Sequence, residues 1–461
     1  MEGDTAVQEK KQNDTGLNRR QFIGGLAAAS AFTIVPRHVL GGAAGPAPSD
    51  KLNIAAIGVG GMGKENLKNM TSENIVALVD VDWEHAKETF ETYPDAKRYK
   101  DFRQMLDEQK DVVDAVVVAT PDHTHAVASV AAMQLGMHVY TQKPLTHTVY
   151  EARLLADLAK EKNLITQMGN QGHSGEEIRL ETEWLRDGAI GDVTEVHIWT
   201  DRPVWPQGIY KRPEKMEMKQ GLDWDLFIGP MPYRPYNEIY HPFRWRGWWD
   251  FGTGALGDMG CHFIDHPWTA LKLTYPTSVN ASFAMEFAED DIWEKLPLGE
   301  TFPKASIVTY NFPARENMPA LKLTWYDGGL QPPRPDELDP RRSMPTNGAL
   351  YVGSKVKLLQ GDGMVRLIPE SAMQAYDVPE KTIPRIEVTH EQNWIQAIKE
   401  NKPASADFSY AGPLTESVLL GNIALKFPYE VIEYDPENMA IKGKDEATAL
   451  LKREYRRGWS L

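Results

Sequence analysis

From Lys51 to about Gly169 the chain alternates short apolar runs with longer amphipathic stretches. Leu52–Ile57 reads as a buried strand ending in glycines, and Ile75–Val79 as a second strand. Val113–Ala119 is nearly continuous in β-branched residues, the mark of a strand covered on both faces. Ala126–Leu135 and Val149–Lys160 carry helical periodicity, while His138–Tyr140 and Leu164–Met168 read as further strands. Strands alternating with helices predict a parallel, doubly wound sheet of the α/β class.

The pattern changes past about Gly172. One helix, Glu176–Leu185, precedes alternating strands at Val193–Ile198, Ser278–Phe287, Ala305–Asn311 and Leu321–Trp325. These predict a second, α+β domain on a largely antiparallel open sheet. Residues 201–250 and 328–347 have no period, and irregular segments of that length usually serve function or movement.

Trp199–Trp249 holds six of the chain's 13 tryptophans, with Tyr210, Tyr233, Tyr236, Tyr240 and Phe243. Arg244 and Arg246 interleave with Trp245. Two readings stay open here. The aromatics form a platform on which sugar rings pack, or an arm that packs on a second subunit.

The first strand runs into Gly58-Val59-Gly60-Gly61-Met62-Gly63, a G-x-G-x-x-G pattern. Alone the match is weak. A strand before it, a helix after it, and an acid, Asp80, ending the next strand make it a dinucleotide fingerprint. Gly58 suits the tight turn, Gly60 lets the backbone approach a pyrophosphate, and Gly63 lets helix and strand pack closely. The helix start then offers free N–H groups to the anion. Asp80 is expected to accept from the adenosine ribose hydroxyls and to repel a 2′-phosphate. No Arg follows it before Lys87, so the expected cofactor is NAD rather than NADP.

A length of 461 residues suits two domains and a leader: 1–49, 50–170 and 171–461. With 50 basic and 65 acidic residues the net charge is −15, which argues against nucleic-acid or anionic-membrane partners. The single cysteine, Cys261, leaves no internal disulfide and no lipidated N-terminal cysteine. Near the start, Arg19-Arg20-Gln21-Phe22-Ile23 opens an apolar stretch to Val35, too short to span a membrane. It resembles a twin-arginine export signal, so the expected location is periplasmic or otherwise exported, without a membrane anchor.

Three further segments carry chemistry. Thr120-Pro121-Asp122-His123-Thr124-His125 follows the third long strand, and Gln142-Lys143-Pro144 follows the fourth. Gly254 to Asp265 contains Asp258 and His262, four apart and on one face of a helix. With the fingerprint, these resemble the glucose–fructose oxidoreductase / inositol dehydrogenase / rhizopine-catabolism family (Gfo/Idh/MocA). The resemblance covers residues 51–270, and more loosely the chain to about 425. One position departs from the pattern: Gln142 stands where the family has Glu.

The resemblance implies cofactor contacts from Gly58, Gly60, Gly61, Met62, Gly63, Asp80, Thr120, Pro121, His123, His125, Gln142 and Lys143. It also implies catalysis by Lys143, Asp258 and His262. Oxidising a secondary alcohol needs a hydride acceptor and a base for the hydroxyl proton. His262 suits the base, Asp258 the orienting carboxylate, and Lys143 the group that holds the reacting oxygen. Substrate contacts are expected from Trp205, Tyr240, Arg244, Trp245, Asp258 and His262. Asp258, His262, Asp265 and His266 are metal-ligand types, yet no HExxH or cysteine cluster accompanies them, and the expectation is no metal.

The leading expectation is an NAD-dependent oxidoreductase acting on a sugar or glycoside, built as a homo-oligomer, dimer or tetramer. Its rivals are a redox-neutral glycosidase that uses bound NAD transiently and a non-catalytic sugar-binding protein.

Overall fold

The computed structural model describes residues 50–288 and 290–461. The leader with its arginine pair falls outside these described residues.

Six parallel strands form the first sheet: β1 (Asn53–Ile57), β2 (Asn74–Val79), β3 (Lys97–Tyr99), β4 (Ala115–Val118), β5 (His138–Gln142) and β6 (Thr166–Gly169). Their spatial order is β3-β2-β1-β4-β5-β6. Strand order reverses between β1 and β4, and ligands of such sheets bind beyond the carboxyl ends at that reversal. All four residues of β4 are buried, as its apolar run predicts. The helix after it starts at Asp122 rather than Ala126. Its first turn, Asp122-His123-Thr124-His125, reads as a polar loop but is buried throughout.

The second sheet has nine strands: β7 (Val193–Trp199), β8 (Ser278–Phe283), β9 (Ser306–Phe312), β10 (Leu321–Tyr326), β11 (Gly348–Gly353), β12 (Lys357–Gly361), β13 (Met364–Ile368), β14 (Val431–Asp435) and β15 (Ala440–Ile441). Only β7 and β10 pair in parallel; the other neighbours are antiparallel. The architecture is therefore a Rossmann-type α/β sheet joined to an α+β domain. Strands β11 to β15 lie outside the sequence expectations.

Helix His390–Glu400 crosses the linear division of the chain. Its Trp394 is fully buried among Ile54, Leu78, Val117 and Tyr140 of the parallel sheet. Helix Phe408–Ala424 packs on helices Val149–Glu161 and Gly254–Phe263. Arg153 Nε donates to Glu416 at 3.0 Å across the first of these contacts.

The irregular 201–250 segment has a hydrophobic core of its own. Trp224 stacks on Phe227 at 4.8 Å, and Tyr240 meets Trp248 edge-on at 4.5 Å and Phe251 at 5.5 Å. The Arg234 guanidinium lies in their midst, 5.1 Å from the Phe251 ring centre. This accounts for most of the aromatic density. With almost no helix or strand to supply hydrogen-bonded order, the insertion is held by large rings buried on one another. Among the described residues no helix is long and apolar enough to cross a membrane.

Candidate active site

A cavity of about 390 Å³ opens at the strand-order reversal and joins both functional regions. One end is lined by Gly58, Gly60, Gly61, Met62 and Asp80, the other by Thr120, Pro121, Asp122, Gln142 and Lys143. Gly58 has φ +83°, and a Cβ there would come within 2.7 Å of the Ala119 backbone. A Cβ on Gly63 would lie 2.0 Å from Gly58 O, so this glycine serves the close packing expected of it and does not line the cavity.

Asp80 turns its carboxylate onto the glycine loop. Its Oδ2 accepts from Val59 N at 2.8 Å and Gly60 N at 3.0 Å, and Oδ1 accepts from Asp82 N at 2.9 Å. A carboxylate has about four lone-pair positions, so roughly one stays open for a ribose hydroxyl. Burial pushes the Asp80 carboxyl above its ordinary range, against three backbone donors. Thr120 Oγ1 is buried in the same cavity without a partner among the described residues. Bare glycine backbone, an open carboxylate position and an orphaned hydroxyl together fit a dinucleotide.

His123 and His125 have a different role from the one expected. Both are buried and neither lines the cavity. His125 lies between Thr120 O (2.8 Å) and Pro144 O (2.9 Å), clasping the two cavity loops together. His123 sits 2.8 Å from Phe227 O and 3.1 Å from Phe251 O, fastening the aromatic insertion to the parallel sheet. Burial lowers His125 to about 4 and His123 to about 3, so both rings are neutral at pH 7.

At the other end Lys143 lines the cavity and meets Asp258, while Asp258 and His262, on helix Gly254–Phe263, are not themselves among the lining residues. Lys143 Nζ donates to Asp258 O and Asp258 Oδ1, both at 2.9 Å. Arg246 Nε donates to that same Oδ1 at 3.1 Å. Burial raises the Asp258 carboxyl, but the Lys143 and Arg246 charges outweigh it and hold the group at about 2. His262, half-buried on the same helix, is lowered to about 3 by burial and by the Lys143 charge. Its ring nitrogens have no hydrogen-bond partner among the described residues. Asp265 and His266 are engaged elsewhere, by His173 at 2.9 Å and Glu181 at 2.8 Å.

Comparison with known proteins agrees with this geometry. A family described as "Oxidoreductase family, NAD-binding Rossmann fold" matches residues 52–170, and its "C-terminal alpha/beta domain" matches residues 198–284. Both segments match models of the Gfo/Idh/MocA family, 206 of the 461 residues together. Residues 52–170 are thus a Rossmann fold of the NAD-binding type.

Among curated members, levoglucosan dehydrogenase of Pseudarthrobacter phenanthrenivorans is 26% identical over 166 residues, 36% of this chain and 34% of that protein. Myo-inositol 2-dehydrogenase of Thermotoga maritima is 26% identical over 164 residues, 35% of this chain and 48% of that one. The chain thus spans about a third to a half of the length of these relatives. The fold is shared with an inositol dehydrogenase homologue from Azotobacter vinelandii solved with NADH and myo-inositol. That likeness has a TM-score of 0.52 at 16% identity and covers 83% of this chain and 98% of that one.

Against the family pattern, the Gln142 departure has a partner nearby. Gln142 Nε2 donates to Asn66 Oδ1 at 2.8 Å, and Asn66 Nδ2 donates to Glu391 Oε1 at 2.7 Å. A carboxylate is therefore present in this network, supplied by helix His390–Glu400.

The expected substrate residues divide. Trp245 and Asp258 face the shared site, Trp245 lining the cavity and Asp258 bridging Lys143 and Arg246. Tyr240 is 1% exposed inside the insertion's aromatic core, away from the cavity. Trp205 is buried behind the Arg246 guanidinium, 5.9 Å from it. Arg244 is exposed, and its side chain makes no hydrogen bond or ion pair among the described residues.

Arg246 takes the place expected for Arg244, because the 3-10 turn Arg244–Gly247 sends neighbouring side chains in different directions. Its guanidinium lies 4.4 Å from both the Phe243 and Trp245 ring centres. Asp122 is a further residue the sequence reading did not assign. It is buried at the cavity wall and accepts from Thr253 Oγ1 at 2.7 Å. Burial raises its carboxyl to about 7 despite that bond.

Proposed function

We propose that this protein is an NAD-dependent oxidoreductase acting on a secondary hydroxyl of a sugar or glycoside, on a cofactor it holds tightly. One observation carries the reading: Lys143 and Arg246, both lining the end of the dinucleotide cavity, share one oxygen of Asp258, and the Lys143 and Asp258 charges act on a neutral His262. The named relatives act on levoglucosan and myo-inositol, both polyhydroxylated rings, which supports a substrate of that class.

NAD, when bound, supplies the hydride acceptor. Lys143 holds the oxygen on the reacting carbon and stabilises negative charge growing there. His262, kept neutral by its surroundings, has a lone pair to receive the hydroxyl proton and is exposed enough to pass it to water. Asp258 stays a carboxylate, fixes Lys143 and Arg246, and accepts from a neighbouring sugar hydroxyl. The leader extends the proposal to export. Outside the cytoplasm free NAD is scarce, and a retained cofactor answers that.

A panel of sugars and glycosides, followed by nicotinamide absorbance and by released sugar, tests the proposal. Nicotinamide reduction without sugar release is the expected result. Release without net reduction would replace it with the redox-neutral glycosidase, and binding without either would leave a sugar-binding protein.

A further inference from the structure

The insertion that brings Arg246 to the catalytic end also reaches the adenosine end of the cavity. Its anchor there is Asp82, two residues beyond Asp80 and fully buried. Asp82 Oδ2 accepts from Lys219 Nζ at 3.1 Å and from His241 Nε2 at 3.0 Å, both residues of the insertion. Asp223 N donates to Val81 O at 2.8 Å and Lys100 Nζ to Gly221 O at 2.9 Å, so the strap is tied to the sheet edge by backbone as well.

His241 lines the cavity with Gly58, Gly60 and Asp80. Its ring meets Phe227 edge-on at 5.0 Å and His85 at 5.9 Å, which fixes its plane. His85 in turn lies over the glycine loop, where a Cβ on Gly60 would come 2.2 Å from its Cδ2. The second ring nitrogen, His241 Nδ1, is buried and has no partner among the described residues.

An unpaired buried polar atom is costly, and such atoms in native sites commonly await a ligand or water. The chemistry of the partner follows from Asp82. A carboxylate only accepts, so Nε2 carries the hydrogen; Nδ1 then accepts in a neutral ring and donates in an imidazolium. A partner that both donates and accepts satisfies it in either form. Of the groups on the adenosine half of a dinucleotide, ribose hydroxyls do both and phosphate oxygens only accept.

We propose that His241 is a cofactor-binding residue, its Nδ1 hydrogen-bonded to an adenosine ribose hydroxyl, and that the strap thereby clasps NAD and slows its release. This rests on the reading of a tightly held NAD and names the residue that does the holding. Asp80 has about one open lone-pair position for the same ribose, so the two hydroxyls are shared between the sheet and the insertion.

Cofactor release from purified holoprotein tests this. His241→Phe keeps an aromatic ring in place and removes both Nδ1 and the Nε2 bond to Asp82. The expected result is NADH dissociation roughly tenfold faster than in the wild type, as suits one lost buried hydrogen bond. Lys219→Met, which removes the other Asp82 partner but leaves His241 Nδ1 in place, speeds release less than His241→Phe does. An unchanged rate in a folded His241→Phe protein overturns the proposal.

A second measurement needs only the wild type. NAD analogues lacking the adenosine 2′- or 3′-hydroxyl are compared, and if both bind as tightly as NAD the proposal fails. Failure of the parent reading looks different: wild-type protein then loses NAD on desalting, while the tenfold ratio between the proteins remains measurable.

Discussion

Arg246 and Asp258, 12 positions apart in the chain, meet at 3.1 Å on the carboxylate oxygen that Lys143 already holds at 2.9 Å. Two cations on one buried oxygen fix Asp258 as an anion and lock the lysine's direction at once. Removing Arg246 relaxes both. Arg246→Met is expected to lower kcat about 10- to 100-fold. With one cation gone, Asp258 protonates at higher pH, so the acid limb of the pH–rate profile moves upward. A wild-type kcat with an unmoved limb would show that Arg246 is only a packing residue.

Lys143→Met and His262→Ala each remove a group assigned to the substrate. Turnover should fall about a thousandfold or more in both, within the range usual for loss of acid–base or charge-stabilising groups. Bound NAD, read by mass spectrometry of the denatured protein, should stay near the wild-type amount. Near-normal rates on the cognate substrate in either variant would refute its role.

The two cavity glycines should respond differently to the same added methyl. At Gly58 the new Cβ meets backbone of Ala119 at 2.7 Å on a residue with φ +83°, so Gly58→Ala should abolish NAD binding or folding. At Gly60 the obstacle is the His85 side chain, which can swing away. Gly60→Ala should fold normally and lose NAD affinity moderately. Equal damage at both positions, measured by thermal melting and NAD titration, would contradict the geometry.

Asp122 gives a prediction about stability and pH. Its folded pKa is raised to about 7, so between the ordinary carboxyl range and pH 7 the folded protein binds more protons than the unfolded chain. Its contribution is therefore present at acid pH and lost as pH rises through about 7. Asp122→Asn keeps an acceptor for Thr253 and never ionises. Cofactor-free Asp122→Asn should melt higher than wild type at pH 8, by at most about 4 kcal/mol of stability. The difference should vanish near pH 4. A gap independent of pH would mean that ionisation of Asp122 is not its origin.

The parallel sheet was legible because each of its strands, except short β3, is an apolar run closed by glycine or polar punctuation. The fingerprint, Lys143, Asp258 and His262 were legible because their spacing is set within single elements. What escaped the reading depends on contacts between distant segments. Nothing local separates Arg246 from Arg244; the choice is made where Gly247 passes Pro206 O, too close for a Cβ by any margin at 2.1 Å. Asp122, His123 and His125 share one motif, yet only the neighbouring loops decide that Asp122 faces the cavity while the histidines bind carbonyls. The aromatic insertion looked like a surface for sugar or subunit because its rings are dense; most are buried on one another.

Helix His390–Glu400 sets a constraint on how the protein is made. The parallel sheet begins at Asn53 and its last strand ends at Gly169, but Trp394 and Glu391 complete one of its faces. A ribosome must therefore synthesise more than two hundred further residues before that face can close. Until then Tyr140, Val117 and Leu78 lack the indole that covers them, and a nascent or truncated chain ending soon after Gly169 presents them to water. The nucleotide-binding half thus matures late, as part of the whole molecule.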